Sequence, residues 1–133
     1  MTNKIRAWGD VMTLSEQQTS SKAVLGKAVL RAAEHLHLSQ SQLAIVLSMD
    51  VVAITQLQNQ PEIDPNSKQG KLALMLIRLY QALYTLTGGD RAWMQHFLTS
   101  ENRMTRGIPV HQIETMDGLI STLNFVESMR AKS

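Results

Sequence analysis

The four histidines are the side chains with the greatest potential for chemistry, and their spacing does not build a site. His35 and His37 lie two positions apart, so on a helix they face different sides, and neither has an acidic partner at metal-ligand spacing. His96 and His111 are isolated. The chain has no cysteine, which excludes thiol catalysis, Cys-ligated zinc and disulfides. No nucleophile-elbow or phosphate-loop pattern occurs, so we expect no enzyme activity, no metal site and no cofactor.

Composition and length indicate a small folded protein. The 133 residues are 44% hydrophobic and 18% charged, which suits one domain, or two very small ones that share a core. A net charge of +2 permits nucleic-acid binding without requiring it. The N-terminus lacks the apolar segment of a secretory signal, and the apolar runs are too short to span a membrane. We therefore expect a cytoplasmic protein with no membrane contact.

Apolar residues recur at three- and four-residue spacing along most of the chain, which predicts an all-α fold. A first helix is predicted from Lys22. Its predicted inward-facing residues are Val24, Leu25, Ala28, Val29, Ala32 and Leu36. Ser39 and Asp50 are predicted to cap two short helices, Gln40 to Leu47 and Val51 to Gln58. A loop at 60–70 then precedes a helix over 72–86 that is apolar on nearly every side. Such a helix is usually buried all round, or else one face meets a second copy of the chain.

The C-terminal half is predicted to hold three further helices. Gly88 and Gly89 end the apolar helix, and Asp90 caps the next one. Pro109 occupies a typical first helical position and predicts a short helix through Ile113. Either Thr115 or Asp117 caps the last helix. The predicted apolar stripe of that helix is Leu119, Ile120, Leu123, Val126 and Met129.

The stretch LSQSQLAIVLSMDVVAITQLQ, residues 38–58, has the spacing of a helix-turn-helix. The motif needs a small residue in its first helix, here Ala44, a tight turn, here Leu47-Ser48-Met49, and an inward aliphatic residue in its second helix, here Ile54. The stretch resembles the Xre/Cro repressor family, which commonly reads LSQ-x-x-LA before the turn. Valine can contact a thymine methyl, and Thr, Gln and Asn can bond base edges. Since the second helix lacks Lys and Arg, phosphate contacts must come from elsewhere, such as Lys22, Lys27, Gln40 or Gln42. The candidate DNA-binding residues are Gln40, Gln42, Val51, Val52, Thr55, Gln56 and Asn59.

The stretch FLTSENRMTRGIPVHQIETMDGLISTLNFV, residues 97–126, resembles the toxin-binding domain of Xre/MbcA/ParS antitoxins. The places of that pattern are filled by Phe97-Leu98, Asn102, Gly107, Pro109, Ile113, Thr115, Gly118 and Leu123. Gly118 in the first turn of the last helix permits close approach of another backbone. Beyond it, Glu127, Arg130 and Lys132 project from the end of the chain. The candidate toxin-binding residues are Asn102, Arg106, Pro109, Gly118, Asn124, Glu127 and Arg130.

The resemblance implies an antitoxin that neutralises a RES-type, NAD-degrading toxin by occluding its active site and represses its own operon. It divides the chain into an N-terminal arm (1–20), an Xre-like helix-turn-helix region (21–66), a central apolar helix for the core or dimerisation (67–89) and a small helical C-terminal toxin-binding domain (90–133). We expect a homodimer, because a two-fold dimer matches a palindromic operator. Two alternatives stay open, a stand-alone Xre/Cro-type repressor without a toxin and a helical protein-binding adaptor.

Overall fold

The computed structural model describes residues 21–132, and within that range it is helical with no strand. The predicted arm over residues 1–20 lies outside the described residues. In chain order the helices are α1 (residues 21–35), α2 (Gln40–Leu47), α3 (Val51–Asn59), α4 (Lys68–Thr87), α5 (Arg91–Thr99), α6 (Pro109–Gln112) and α7 (Met116–Lys132). The predicted all-α fold is confirmed.

Local capping chemistry sets most of the helix ends. The Ser39 hydroxyl accepts a hydrogen bond from the Gln42 backbone N–H at 3.1 Å, and the Gln42 side chain accepts one from the Ser39 N–H at 2.9 Å. Asp50 caps α3 by accepting from the Ala53 N–H at 2.7 Å. Gly88 ends α4 in the left-handed region at φ 67°, and Asp90 caps α5 through the Trp93 N–H. These predicted ends are confirmed, because caps and turn residues act within a few positions of the chain.

Helix α4 lies at the centre of a single hydrophobic core. It packs against α2, α5 and α7, with its most extensive contact along α7. Leu76, Leu79 and Leu83 on α4 are fully buried. The helix is not buried all round in the single chain, because Leu74 and Tyr84 are 44% and 50% exposed, and the alternative that one face meets a second copy stays a prediction. One side of α4 therefore faces solvent in the single chain.

Helix α7 presents a narrower apolar stripe to α4 than its sequence predicts. Leu119, Leu123 and Val126 are buried together with the hydroxyl-bearing Thr122. Ile120 and Met129 are 38% and 40% exposed, so their predicted burial is wrong. On α1, Val24 is likewise exposed, whereas Leu25, Val29 and Leu36 are buried. In each case the three- and four-residue spacing of apolar residues identifies the helix correctly. That spacing does not show how much of the helix surface a neighbouring element covers.

His35 connects α1 to both α4 and α5. Its ring Nδ1 lies 3.1 Å from the Tyr80 hydroxyl, and its Nε2 lies 3.1 Å from the Arg91 guanidinium. The His35 and Tyr80 rings also meet edge to face, with centroids 5.2 Å apart. The first helix is thus tied by polar contacts to the beginning of the C-terminal half.

Within residues 21–132, no single helix is both long and apolar enough to cross a membrane. The pair α2 and α3 meets the length and composition criteria only when taken together, and that pair is bent by 102°.

Candidate interaction surfaces

Helices α2 and α3 form a compact unit with a sharp turn. They are joined by Ser48, Met49 and Asp50 and bend by 102° relative to one another. Ser48 adopts the left-handed conformation, φ 57° and ψ 44°, at the end of α2. Buried Leu43, Ala44, Leu47, Ile54 and Leu57 hold the two helices against the core, as the sequence predicts.

The outer face of α3 carries the residues predicted to read bases. All five of them are exposed: Val51, Val52, Thr55, Gln56 and Asn59. At helical spacing these positions share one side of α3, opposite the buried Ile54 and Leu57. The Thr55 hydroxyl donates to the Val51 carbonyl at 3.0 Å, so it has a partner within the helix. This face carries no charge.

The two glutamines predicted to contact phosphates already have partners in the chain. The Gln40 amide donates to the Gln58 side chain at 2.8 Å, and the Gln42 side chain completes the cap of α2. Lys22 and Lys27 on α1 are exposed. Of the four residues predicted to contact phosphates, only the two lysines therefore supply a positive charge.

A turn over residues 102–107 borders the second surface. The Asn102 side-chain oxygen accepts hydrogen bonds from the backbone N–H groups of Met104 and Thr105 at 2.8 and 3.3 Å. The Asn102 N–H donates to the Gly107 carbonyl at 2.9 Å and closes the turn. Arg106 sits at the top of this turn with φ 62°, and its side chain is exposed. Asn102 thus shapes the loop that presents Arg106.

Pro109 and Gly118 fix how α6 meets α7. Pro109 is buried at the first position of α6. A Cβ atom on Gly118 would collide with the backbone carbonyl of Gln112, so the two helices approach as closely as only glycine allows. The Thr115 hydroxyl, rather than Asp117, accepts from the Gly118 N–H at 3.0 Å and caps α7.

A cleft of about 480 Å³ opens between this turn, α6 and α7. Met104 and Arg106 form one side, and Gly118, Ser121 and Phe125 lie along the exposed face of α7. Gln112 also lines it, and its amide N–H donates to the Thr105 carbonyl. The Gln112 side-chain oxygen is shielded from solvent and has no hydrogen-bond partner within the described part of the chain. Of the predicted toxin-binding residues, Arg106 and Gly118 come together here.

The remaining predicted toxin-binding residues lie along the outer half of α7. Glu127 accepts two hydrogen bonds from the Arg78 guanidinium, at 2.7 and 3.3 Å, and this ion pair joins α7 to α4. Asn124 and Arg130 are exposed. After Val126, the last buried residue of α7, the helix continues through five exposed positions, residues 128–132.

Sequence reasoning missed the exposed apolar residues of this half. Trp93 and Met104 are 58% and 76% exposed. Phe97 and Phe125 are partly exposed and stack with ring centroids 6.4 Å apart. No local signal identifies these residues, because exposure here depends on which neighbours α5 and α7 find in three dimensions. Within residues 21–132, no three His, Asp or Glu side chains converge in a way that could hold a metal ion.

The second half of the chain is therefore a small helical unit whose outer surface combines a cleft, exposed apolar side chains and one presented arginine. That combination is typical of a domain that binds another protein. Residues 82–132 match the family model of the antitoxin Xre/MbcA/ParS C-terminal toxin-binding domain. The match confirms, over this part of the chain, the resemblance to the Xre/MbcA/ParS antitoxins seen in the sequence. It supports an antitoxin role with a toxin as partner. No curated protein matches the chain.

Proposed function

We propose that the protein is the antitoxin of a type II toxin–antitoxin pair, and that it neutralises a RES-type, NAD-degrading toxin by direct binding. The observation that carries this proposal is the toxin-binding domain over residues 82–132. Binding alone is sufficient for the task, so the chain itself needs no catalytic group and no cofactor. A protein that also binds an operator would act in the cytoplasm.

Occlusion of the toxin's active site would use the outer end of α7. Residues 128–132 follow Val126, the last buried residue of α7, and they include the exposed cations Arg130 and Lys132. A rigid helical end that is already folded costs little conformational entropy when it enters a cleft on a partner. Removal of residues 128–133 would spare the buried residues of α7, which makes it a sharper test than a longer truncation.

Autoregulation would use α2 and α3 on operator DNA. The angle of 102° lies in the range of helix-turn-helix units, and the α3 face presents amide, hydroxyl and methyl groups suited to base edges. Because that face is uncharged, phosphate contacts would rest on α1, through Lys22 and Lys27. A two-fold dimer, through the exposed side of α4 or through the α2–α3 region, would place two such units on a palindrome. Binding several units to one DNA site compensates for weak individual contacts.

The test of neutralisation is co-expression with the product of the adjacent gene, followed by survivor counts and co-purification. We expect the neighbour alone to kill cells, and this protein to restore growth and to co-purify with it. Truncation after Glu127 should abolish rescue, while the circular dichroism signal falls only by the share of the five helical residues removed. A harmless neighbour that does not bind would contradict the antitoxin proposal. Tight operator binding by the chain alone would then favour a stand-alone repressor.

The test of autoregulation is a double substitution, Thr55→Ala with Gln56→Ala, on the exposed face of α3. Operator binding by the toxin–antitoxin complex should fall by at least about tenfold, and rescue from the toxin should be unchanged. Gln69→Ala, on the first turn of α4, serves as a control outside this face. If the double variant binds operator DNA as well as the parent protein does, α3 does not read the sequence. If no DNA is bound at all, the adaptor reading becomes the better account.

A further inference from the structure

We propose that the toxin docks on an aromatic–methionine surface formed by Trp93, Phe97, Met104 and Phe125, where an apolar segment of the toxin crosses α5 and α7 and enters the adjoining cleft. The proposal rests on the antitoxin function and names the part of the domain that would carry most of the binding energy. It differs from the occlusion contact, which concerns the outer end of α7.

The four side chains form a continuous path over two helices and a turn. Trp93 and Phe97 are four residues apart on α5, so they are neighbours on one helix face. The Phe97 ring stacks on Phe125 of α7, with an angle of 8° between the ring planes. Phe125 and Met104 line the same cleft. The path therefore runs from α5 across α7 to the turn that presents Arg106.

The residue types and their exposure are those of binding hot spots. The whole sequence has six aromatic residues, two each of Trp, Tyr and Phe, and three of them lie on this surface. Trp93 is 58% exposed and Met104 is 76% exposed, although both are large apolar side chains. Trp is the residue most enriched at energetic centres of interfaces, and Met adapts its shape to a partner. The entire surface falls within the toxin-binding domain, residues 82–132.

Several polar residues of the domain are unavailable, because the fold already uses them. Asn102 bonds the backbone of its own turn, Pro109 is buried, and Glu127 is paired with Arg78. The cleft next to this surface is lined by Met104 and Phe125 together with uncharged polar side chains such as Gln112 and Ser121, and Arg106 brings a positive charge to it. This charge suits a toxin segment in which an acidic side chain stands beside apolar ones.

The experiment measures toxin affinity with substitutions that leave the core intact. Trp93→Ala and Met104→Glu remove exposed side chains, so circular dichroism and thermal melting should match the parent protein. Val24→Ala is the control, since Val24 is an apolar residue with 63% exposure on α1, outside the toxin-binding domain. The probe is the purified product of the adjacent gene, with affinity measured by biolayer interferometry.

We expect Trp93→Ala and Met104→Glu each to weaken binding by at least about 30-fold, whereas Val24→Ala changes it by less than about threefold. If the parent protein binds and all three variants bind equally well, the surface is wrong and the antitoxin function stands. If the variants lose self-association in sedimentation but keep their affinity for the toxin, the surface joins two copies of the chain and the proposal is overturned. If the parent protein does not bind the neighbour at all, both proposals fail.

Discussion

Ser48 holds a backbone conformation that glycine adopts with less strain. Its φ of 57° places its Cβ in the sterically crowded left-handed region, at the turn between α2 and α3. Ser48→Gly removes that strain, and the greater entropy of glycine in the unfolded chain offsets part of the gain. We expect the free energy of unfolding to rise by about 0.5 to 1 kcal/mol, measured by urea denaturation.

The matched control is the opposite substitution at Gly88, which has a similar φ of 67° and open space around it. Gly88→Ala introduces the same strain without a clash, so it should lower the free energy of unfolding by about 1 kcal/mol. If Ser48→Gly instead lowers the free energy of unfolding, the serine hydroxyl makes a stabilising contact that outweighs the backbone strain.

Gly118 is required at the junction of α6 and α7 for a different reason, because there is no room for a side chain and not because its φ is positive. Its substitution by alanine places a Cβ against the Gln112 carbonyl, a backbone group that cannot rotate aside. We expect Gly118→Ala to cost about 1 to 3 kcal/mol of stability in urea denaturation, with weaker toxin binding because the cleft walls shift. Ser121→Ala, on the exposed face of the same helix, should stay within about 0.5 kcal/mol of the parent. Equal stability of the two variants would contradict the close approach.

At the scale of the element, the seam between α4 and α7 combines an apolar stripe with one ion pair. The Arg78 and Glu127 side chains are 53% and 25% exposed, so solvent screens much of their attraction. Glu127→Gln should therefore cost less than about 1 kcal/mol, and the loss should shrink further at high salt. Leu123→Ala, within the buried stripe, should cost about 2 to 5 kcal/mol.

The same Glu127 substitution tests a sequence-based hypothesis. Its position near the end of the chain made it a candidate for toxin binding, but in the fold it contacts Arg78. If Glu127→Gln weakens toxin binding by more than about tenfold while stability is nearly unchanged, Glu127 leaves Arg78 for the toxin in the complex. Unchanged binding would assign it to the seam alone.

The comparison of sequence and fold shows which elements local chemistry determines. Ser39, Asp50 and Asp90 each bond a backbone group three residues away, so their caps were predictable from sequence alone. The pairing of Arg78 with Glu127, separated by 49 positions, was not. The burial of Ile120 was misjudged and the exposure of Trp93 was not foreseen for the same reason, because both depend on the packing partner. The residues of the cleft were therefore predicted only in part.

At the scale of the whole molecule, the two halves share one core. Buried residues of α1, α2 and α3 form one contiguous cluster with those of α4, α5 and α7. We expect a single cooperative unfolding transition, because α4 cannot stay folded after either set of partners is lost. Circular dichroism and the fluorescence of Trp93, in a Trp8→Phe background, should give superimposable urea curves. A fluorescence transition that precedes the loss of helix would show that the toxin-binding half unfolds by itself.

The contact of His35 with Arg91 has a consequence for the position of one proton. A guanidinium group can only donate, so the His35 Nε2 at 3.1 Å must offer its lone pair. In the neutral ring this contact favours the tautomer with the proton on Nδ1, whose N–H donates to the Tyr80 oxygen. This is the less common tautomer of free histidine, and ¹⁵N NMR of the imidazole distinguishes it directly. The hydroxyl hydrogen of Tyr80 consequently points away from His35, which gives this junction of three helices a defined direction of hydrogen bonding from Arg91 through the ring to the tyrosine.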